Sequence, residues 1–273
     1  MNIYYLGPAG SFSEVVVRNQ FAKENIFIPL QSFPEIVNKV EQDENGTGAL
    51  VIENSISSSV HVSVDLIYKS NIYILGEAYM KMKMDLMGIA NSSLKSITNV
   101  YSHVQALSQC SKYLQREKYK SHEMQSTSEA AEFVKNSNDI SKAAIGSKYL
   151  ADLMDLKIIQ SDIANEKYNL SRWIFVGKSK KLLSNKINKV TYIFKVKHEQ
   201  GSLVKVLKRI SEEKGNLTKI ESRPLPGTDW EYGFWIDIEM PENNQNIFDT
   251  LMEKETLECR VVGQYEKGTL INI

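Results

Sequence analysis

The sequence predicts an α/β chain made of two lobes of alternating strands and helices, followed by a ferredoxin-like β-α-β-β-α-β module. Three observations carry this expectation. Continuous apolar runs such as Gly48-Ala49-Leu50-Val51-Ile52 have strand length and the composition of strands buried on both faces of a parallel sheet. Up to Gly177 such runs alternate with stretches whose apolar residues recur at helical spacing. Beyond Asn188 the pattern changes. Val190, Tyr192, Phe194 and Val196 alternate as a strand, and Leu203, Leu207 and Ile210 stripe a helix that stops at Gly215. A second strand follows over Leu217 to Arg223, and Tyr232, Phe234, Ile236 and Ile238 alternate in a third. Ile247 to Glu255 reads as a helix and Glu258 to Val262 as a last strand, which completes the ferredoxin-like order.

The chain has 273 residues, which suits two domains or one split domain plus a module. Hydrophobic residues at 42% and charged residues at 24% fit a globular protein with a packed core. Its 33 Lys and Arg balance 33 Asp and Glu, so a general nucleic-acid or acidic-membrane surface is not expected and any anion must be caught locally. Cys110 and Cys259 lie too far apart in sequence for a disulfide framework or a thiolate metal cage, and the scattered His residues give no metal-ligand spacing. No apolar run nears the roughly 20 residues that span a bilayer. No charged-then-apolar leader follows Met1, so a cytoplasmic protein is expected.

Met1 to Leu6 reads as a strand broken by Gly7-Pro8-Ala9-Gly10, and Ser11-Phe12-Ser13-Glu14 fits a capping box that opens a helix through Ala22. A strand, a glycine turn and a helix start leave backbone N–H groups facing open space, which suits a carboxylate. The alternative is that Gly7 and Gly10 only make the turn. Residues 26 to 44 follow as a strand and a helix carrying Ile36, Val37 and Val40. The buried strand at 48–52 ends in Glu53-Asn54-Ser55, and polar residues at the carboxyl end of such a strand stand where open α/β sheets bind ligands. Glu53 and Asn54 are therefore site candidates, against a reading in which Asn54 or Ser55 caps the next helix.

Ile72 to Glu77 is expected to cross out of the first lobe. The second lobe then has three helix starts: Ser102-His103-Val104-Gln105, leading through Leu107, Cys110 and Leu114; Ser126-Thr127-Ser128-Glu129; and Ser147 after the buried strand Ala143-Ala144-Ile145-Gly146. Ile158 to Ile163 and then 169 to 177 are expected to turn back to the first lobe. Lys178 to Asn188, basic and weakly patterned, reads as a linker, and Pro224 to Asp229 as a loop. His103 reads as a capping or packing residue.

The stretch with the most chemistry is Asn169-Leu170-Ser171-Arg172-Trp173, just ahead of an apolar strand and Gly177. Arginine binds carboxylates through a planar fork, so Arg172 at the mouth of a buried strand suits an acidic small molecule, with Ser171 donating a hydrogen bond beside it. A strand-edge Arg paired with a surface acid is the plainer alternative.

Gly7-Pro8-Ala9-Gly10-Ser11-Phe12-Ser13, Glu53-Asn54-Ser55, Ser102-His103-Val104-Gln105-Ala106-Leu107 and Asn169-Leu170-Ser171-Arg172-Trp173 resemble, in that order, the signature segments of prephenate dehydratases. Gly201-Ser202-Leu203-Val204 and Glu221-Ser222-Arg223-Pro224 resemble the two segments by which that family's C-terminal ACT domain binds phenylalanine. The resemblance covers nearly the whole chain. It implies a catalytic region of the two-lobed type II periplasmic-binding-protein kind at 1–178, with lobe 1 at about 1–77 and 158–178, lobe 2 at about 78–157, and substrate between them. An ACT regulatory domain at 189–273 would pair subunits into a homodimer or homotetramer. There are departures: Ser171 and Trp173 stand where the family usually has Thr and Phe, Ser11 where it has Thr, and Ser58 where a glycine is common. A histidine usual on the strand leaving the first lobe is absent from Met80 to Leu86.

The activity this resemblance implies is loss of water and carbon dioxide from prephenate to give phenylpyruvate, in phenylalanine biosynthesis, with phenylalanine as feedback effector and with no metal or organic cofactor. Arg172 would hold a carboxylate and Ser171 would hydrogen-bond the leaving hydroxyl, with Asn54 and Ser55 as further catalytic donors. Ser11, Glu53, Ser126, Thr127, Ser128, Asn169 and Trp173 would surround the substrate. Gly201, Ser202, Leu203 and Val204, with Glu221, Ser222, Arg223 and Pro224, would hold phenylalanine. A non-aromatising prephenate decarboxylase and a non-enzymatic carboxylate or amino-acid sensor are the alternatives.

Overall fold

The computed structural model describes residues 1–180, 183–224 and 232–271. Its first lobe runs β1 (Asn2–Leu6), α1 (Phe12–Gln20), β2 (Ile26–Leu30), α2 (Phe33–Gln42), β3 (Thr47–Asn54), β4 (Ser58–Ser59), α3 (His61–Lys69) and β5 (Tyr73–Lys81). The second runs β6 (Asp85–Gly88), β7 (Asn99–His103), α4 (Val104–Gln109), α5 (Ser111–Arg116), β8 (Lys120–Met124), α6 (Thr127–Ser137), β9 (Lys142–Gly146), α7 (Lys148–Leu153) and β10 (Lys157–Gln160). The chain returns to the first lobe as β11 (Leu170–Gly177). It ends in β12 (Lys189–Lys195), α8 (Ser202–Glu212), β13 (Asn216–Pro224), β14 (Tyr232–Glu239), α9 (Gln245–Glu255), β15 (Glu258–Tyr265) and β16 (Leu270–Ile271), which contain the expected β-α-β-β-α-β order. Past Pro224, the loop expected over 224–229 lies outside the described residues, as do positions 181 and 182 of the expected linker.

Among the described residues the strands form two sheets, one of eleven strands and one of five. The larger follows the order β13-β14-β12-β15-β5-β11-β3-β1-β2, so the module and the first lobe share one continuous sheet. The smaller, β10-β6-β9-β7-β8, is the second lobe. Two expected boundaries are corrected by these pairings. β5 stays in the first sheet to Lys81, beyond the expected crossing near residue 77, because it is held along its length by β11. β10 pairs antiparallel with β6 and so belongs to the second lobe, whereas a return to the first was expected from Ile158. No helix among the described residues is long and apolar enough to cross a membrane.

Helix starts follow the sequence in most places. Ser11, Ser32, Ser126 and Ser147 accept from the N–H three residues on, as side-chain caps do. At the second-lobe start the cap is His103, whose Nδ1 accepts from Gln105 N–H at 3.3 Å. Ser102, the expected cap, is instead the penultimate residue of β7 and donates to the Ile145 carbonyl at 2.8 Å. The long helix expected through Leu114 is interrupted at Cys110, giving two short ones.

The module's sheet has two buried faces. Val190, Tyr192, Phe194, Ile236 and Ile238 pack under α8 and α9, as their alternation predicts. The intervening Trp235, with Val262 and Tyr265, joins Leu50, Ile52, Val64, Ile67 and Ile174 in the core of the first lobe. Lys189, Thr191 and Asp237 are fully buried on that same side. There the Arg172 guanidinium contacts Asp237 Oδ2 at 2.6 Å, and Lys189 Nζ reaches Glu77 Oε1 at 3.0 Å. These two buried cations and two buried carboxylates meet at the junction, where Arg172 also bonds Glu53.

Two predictions follow from these positions. Ser58 has φ +64°, the left-handed region where a side chain costs about 1–2 kcal/mol and glycine is relieved of it. Ser58→Gly should raise unfolding stability by about 0.5–1 kcal/mol in urea titration; an unchanged or lower midpoint would mean that the strain is absent. At Asp237, burial pushes the carboxyl up, but the Arg172 and Lys189 charges and the Thr191 hydroxyl outweigh it and hold the group below its ordinary value. A depressed carboxylate stabilises the fold in full above the unfolded value of about 3.9 and loses that contribution as pH falls through the folded value. Asp237→Asn should therefore cost about 3–5 kcal/mol at neutral pH, and this gap to the parent should narrow below pH ~4. A gap independent of pH would show that the aspartate charge is not what matters.

Candidate active site

A cleft of about 300 Å³ opens between the lobes. The first lobe contributes the β1–α1 turn (Leu6, Gly7, Pro8, Ser11, Phe12, Ser13), Val51, Asn54, Ser57, Val60, Ser171 and Trp173. The second contributes His103, Gln105, Ala106, Gln109, Gln125, Ser126, Thr127 and Ser128, and Met82 and Met84 come from the crossing segment. No Asp, Glu, Lys or Arg is among these lining residues. Among the described residues no three His, Cys, Asp or Glu side chains gather in a metal-binding group.

Backbone groups offer hydrogen-bond donors to an anion in this cleft. α1 and α6 start on opposite walls, and the N–H groups of their first two residues, Phe12 and Ser13 in one and Thr127 and Ser128 in the other, have no intrahelical acceptor. Gly10, at φ +87°, brings the two walls together. A Cβ there would stand 2.5 Å from Leu150 Cδ1 and 3.2 Å from Ser128 Oγ, so both conformation and contact exclude a side chain. Ser128 Oγ is buried with no partner among the described residues, a hydroxyl in want of one.

Ser171 sits at the centre of a fixed network. Its Oγ accepts from Asn54 Nδ2 at 2.9 Å, which leaves its own O–H to donate. Asn54 Nδ2 also donates to Asn169 Oδ1 at 2.6 Å, while its Oδ1 accepts from the Ile56 and Ser57 N–H groups, each at 3.0 Å. Those two backbone donors set the amide's orientation. Asn54 caps no helix: α3 begins at His61, with no side-chain cap. Trp173 donates from Nε1 to Ser13 Oγ at 3.2 Å, fixing the wall beside it. Ser11 is held by donating to the Leu6 carbonyl at 2.8 Å.

Four of the expected residues stand elsewhere. β11 alternates, so Ser171 and Trp173 face the cleft and Arg172 the other side of the sheet. Arg172 is 3% exposed, and its five N–H groups are matched by five contacts: Glu77 Oε2 from Nε at 2.7 Å and from Nη2 at 2.6 Å, Glu53 Oε1 at 2.9 Å, Asp237 Oδ2 at 2.6 Å and Tyr265 Oη at 3.2 Å. It has no donor left for a substrate carboxylate. Its pairing with carboxylates is the plainer expectation, though the partners are buried. Glu53 shares that face, bonded to Arg172 and, at 3.1 Å, to Lys219. Ser55 Oγ accepts from Leu170 N–H at 2.9 Å and donates to the Tyr168 carbonyl at 3.2 Å, tying down the approach to β11 away from the cleft. Asn169 is buried behind the wall, donating to Gln109 Oε1 at 3.1 Å.

Gln105, Gln109 and Gln125 were missed in the sequence, where isolated glutamines carry no pattern. Gln109 lies on the cleft-facing side of α4, and its fixed contact with Asn169 marks it once the fold is known.

A second groove, of about 320 Å³, lies in the module and is lined by Gly201, Ser202, Leu203 and Val204 with Lys195–Glu199, Tyr232, Phe234 and Leu257. Gly201 is the N-cap of α8 at φ +84° with no side-chain cap; the Ser202 N–H turns back to the Glu199 carbonyl at 3.3 Å, and the N–H groups of Leu203 and Val204 have no intrahelical acceptor. Ser222 and Pro224 pair across strands with the groove-lining Phe234 and Tyr232. Glu221 and Arg223 are directed at the first lobe instead: Glu221 accepts from Ser59 Oγ at 2.7 Å, and Arg223 pairs with Asp65.

Residues 3–181 match the sequence profile of the prephenate dehydratase family. The chain is 33% identical to the prephenate dehydratase of Methanocaldococcus jannaschii, over 96% of this chain and 97% of that protein. It is 30% identical to the bifunctional chorismate mutase/prephenate dehydratase of Buchnera aphidicola from Acyrthosiphon pisum, over 97% of this chain and 69% of that protein. The crystal structure of prephenate dehydratase from Arthrobacter aurescens in complex with L-Phe superposes with a TM-score of 0.85 at 22% identity, covering 98% of this chain and 90% of that one, and so shares the fold. The profile match over most of the chain, and an archaeal relative aligned end to end, place this protein in the prephenate dehydratase family.

Proposed function

We propose that this protein is a prephenate dehydratase, converting prephenate to phenylpyruvate in the cleft between its lobes. The observation that carries the reading is an oriented Ser171 hydroxyl, held by Asn54, in a cleft lined by no Asp, Glu, Lys or Arg and flanked by two opposed helix N-termini. Prephenate is a dianion with one carboxylate on the ring and one on its side chain. Phenylpyruvate, carbon dioxide and water result when the ring carbon–carboxylate bond breaks, its electrons pass through the ring, and the ring hydroxyl departs with a proton. The drive is aromatisation, so the protein has to orient the ring and stabilise the departing hydroxide.

Ser171 is the donor to that hydroxyl. An unperturbed serine is a weak acid, and hydrogen-bond donation is the part it can play, with water the eventual proton source. The N–H groups at the starts of α1 and α6 receive the carboxylates, with Ser128 Oγ completing the second site. Trp173, Phe12 and Met84 supply the apolar walls for the ring.

We also propose that the C-terminal module is an ACT domain that binds phenylalanine in its groove, with the α-carboxylate at the start of α8 and a second copy completing the site. The edge strand β13 and the exposed Val204, Ile220 and Tyr232 give the module an apolar face suited to a like copy.

The activity is tested by incubating the purified protein with prephenate and identifying the product. Phenylpyruvate is expected; a non-aromatic product that keeps its hydroxyl would indicate the non-aromatising decarboxylase, and no product the sensor. Ser171→Ala should cut kcat about 100- to 1000-fold with little change in KM, because the lost bond strengthens as charge develops. Ser171→Thr should stay within about tenfold of the parent, since it keeps the hydroxyl. Parental turnover in Ser171→Ala would end the assignment of that residue. For the module, calorimetry should detect phenylalanine binding at or below millimolar concentration, and Gly201→Val should abolish it, because a β-branched residue is strained at this φ. If phenylalanine changes the affinity for prephenate, prephenate must change the affinity for phenylalanine by the same factor; no heat of binding to the intact protein would remove the effector.

A further inference from the structure

We propose that Arg172 is a positioning residue through which the C-terminal module sets the place of the Ser171 hydroxyl, an inference that rests on the dehydratase reading of the cleft.

β11 lies between β3 and β5, and its register sets Ser171 beside Asn54 and Arg172 beside Glu53. Both strands alternate, so these four residues form one square of the sheet with Ser171 and Asn54 on the cleft face and Arg172 and Glu53 on the module face. A shift of either residue on one face moves its chain neighbour on the other by a comparable distance, because the two share a peptide unit of fixed geometry. The register slips by one residue immediately after this square, between Arg172 and Trp173, which sets the square off from the pairs of Trp173 to Val176 with Val51 to Gly48.

The module face of the square is gripped from two bodies. Glu77, on β5, takes Nε and one Nη2 hydrogen of Arg172 from within the first lobe. Asp237, on β14, and Tyr265, on β15, take one Nη1 and the other Nη2 hydrogen from the module. Thr191 Oγ1 ties these two module residues together, 2.7 Å from Asp237 Oδ1 and 2.8 Å from Tyr265 Oη. Backbone pairing to β5 is short, Gly263 with Ile74 in β15 and Leu270 and Ile271 with Tyr79 and Met80 in β16, so the ladder leaves much of the angle between module and lobe to side chains. A planar guanidinium with every donor matched has one position at which all five contacts close. Such a buried ionic cluster is a poor choice if only stability is at stake, since apolar packing of the same volume often serves as well or better.

The experiment uses the full chain with Asp237→Asn and Tyr265→Phe, which each alter one module-side partner of Arg172 and lie outside the cleft. Steady-state turnover of prephenate, thermal unfolding, and hydrogen exchange of the 170–173 segment are read for each, at a temperature well below all midpoints. Asp237→Asn is expected to lower kcat about tenfold or more with KM within about twofold, and to speed exchange at 170–173 over the rest of the first-lobe sheet. Tyr265→Phe should move the same readouts in the same direction by about two- to fivefold, and it carries the test if Asp237→Asn does not fold. Parental kcat in a folded variant, even one with a lowered midpoint, would reduce the cluster to a structural staple and overturn the proposal. A parent protein that makes no phenylpyruvate would overturn the dehydratase reading and this inference with it, whereas a productive parent with unaffected variants defeats the inference alone.

Discussion

The placement of Arg172 on the far side of the sheet from Ser171 governs the rest of the structure. A strand must send neighbouring side chains to opposite faces, so the residue that lines the cleft is followed by one that cannot. A guanidinium in a central strand needs carboxylates and cover from water, because an unpaired buried charge costs several kcal/mol or more. The first lobe supplies Glu77 and Glu53, and the module supplies Asp237, Tyr265 and the roof that excludes solvent. The module is therefore part of the same folded layer as the catalytic lobe. Its sheet continues that of the first lobe, and Trp235 and Tyr265 complete the first lobe's apolar core.

That dependence explains which parts of the protein could be read from its sequence. Periodicity located the elements wherever one face was apolar, as in α2 with Ile36, Val37 and Val40, and the serine caps located helix starts. What periodicity does not encode is which sheet a short strand joins. Lys157–Gln160 has no pattern that distinguishes pairing with β6 from a return to the first lobe, and only the register with Leu86, Met87 and Gly88 decides it. Ser102 and His103 are both chemically fit to cap, and the choice fell to His103 because β7 runs to that residue and uses the Ser102 hydroxyl for the Ile145 carbonyl.

The candidate site divides along the same line. The cleft positions of Asn54, Ser171 and the two helix starts are legible because cap chemistry and strand ends are local. Arg172 and Glu53 were assigned to the cleft by their chemistry, although alternation alone separates them from Ser171 and Asn54. The clue to the covered opposite face lay sixty residues further on, in β14. There Trp235 and Asp237 occupy the side that would be polar and wet if only one face were packed, and both are fully buried.

A cleft lined by no Lys or Arg also suits the proposed chemistry better than one with an arginine gripping the ring carboxylate. That carboxylate begins with a full negative charge and ends as neutral carbon dioxide, so a fixed cation beside it would hold the ground state more tightly than the transition state and slow the step. Helix N-termini present roughly half a charge each, enough to select a dianion while costing less as the charge leaves. The negative charge moves toward the departing hydroxyl, and there a neutral donor whose bond strengthens as the charge arrives is the favourable group. Ser171, held by Asn54 with its hydrogen free, is such a donor, and sending the guanidinium to the opposite face keeps the cation available for fixing position without opposing decarboxylation.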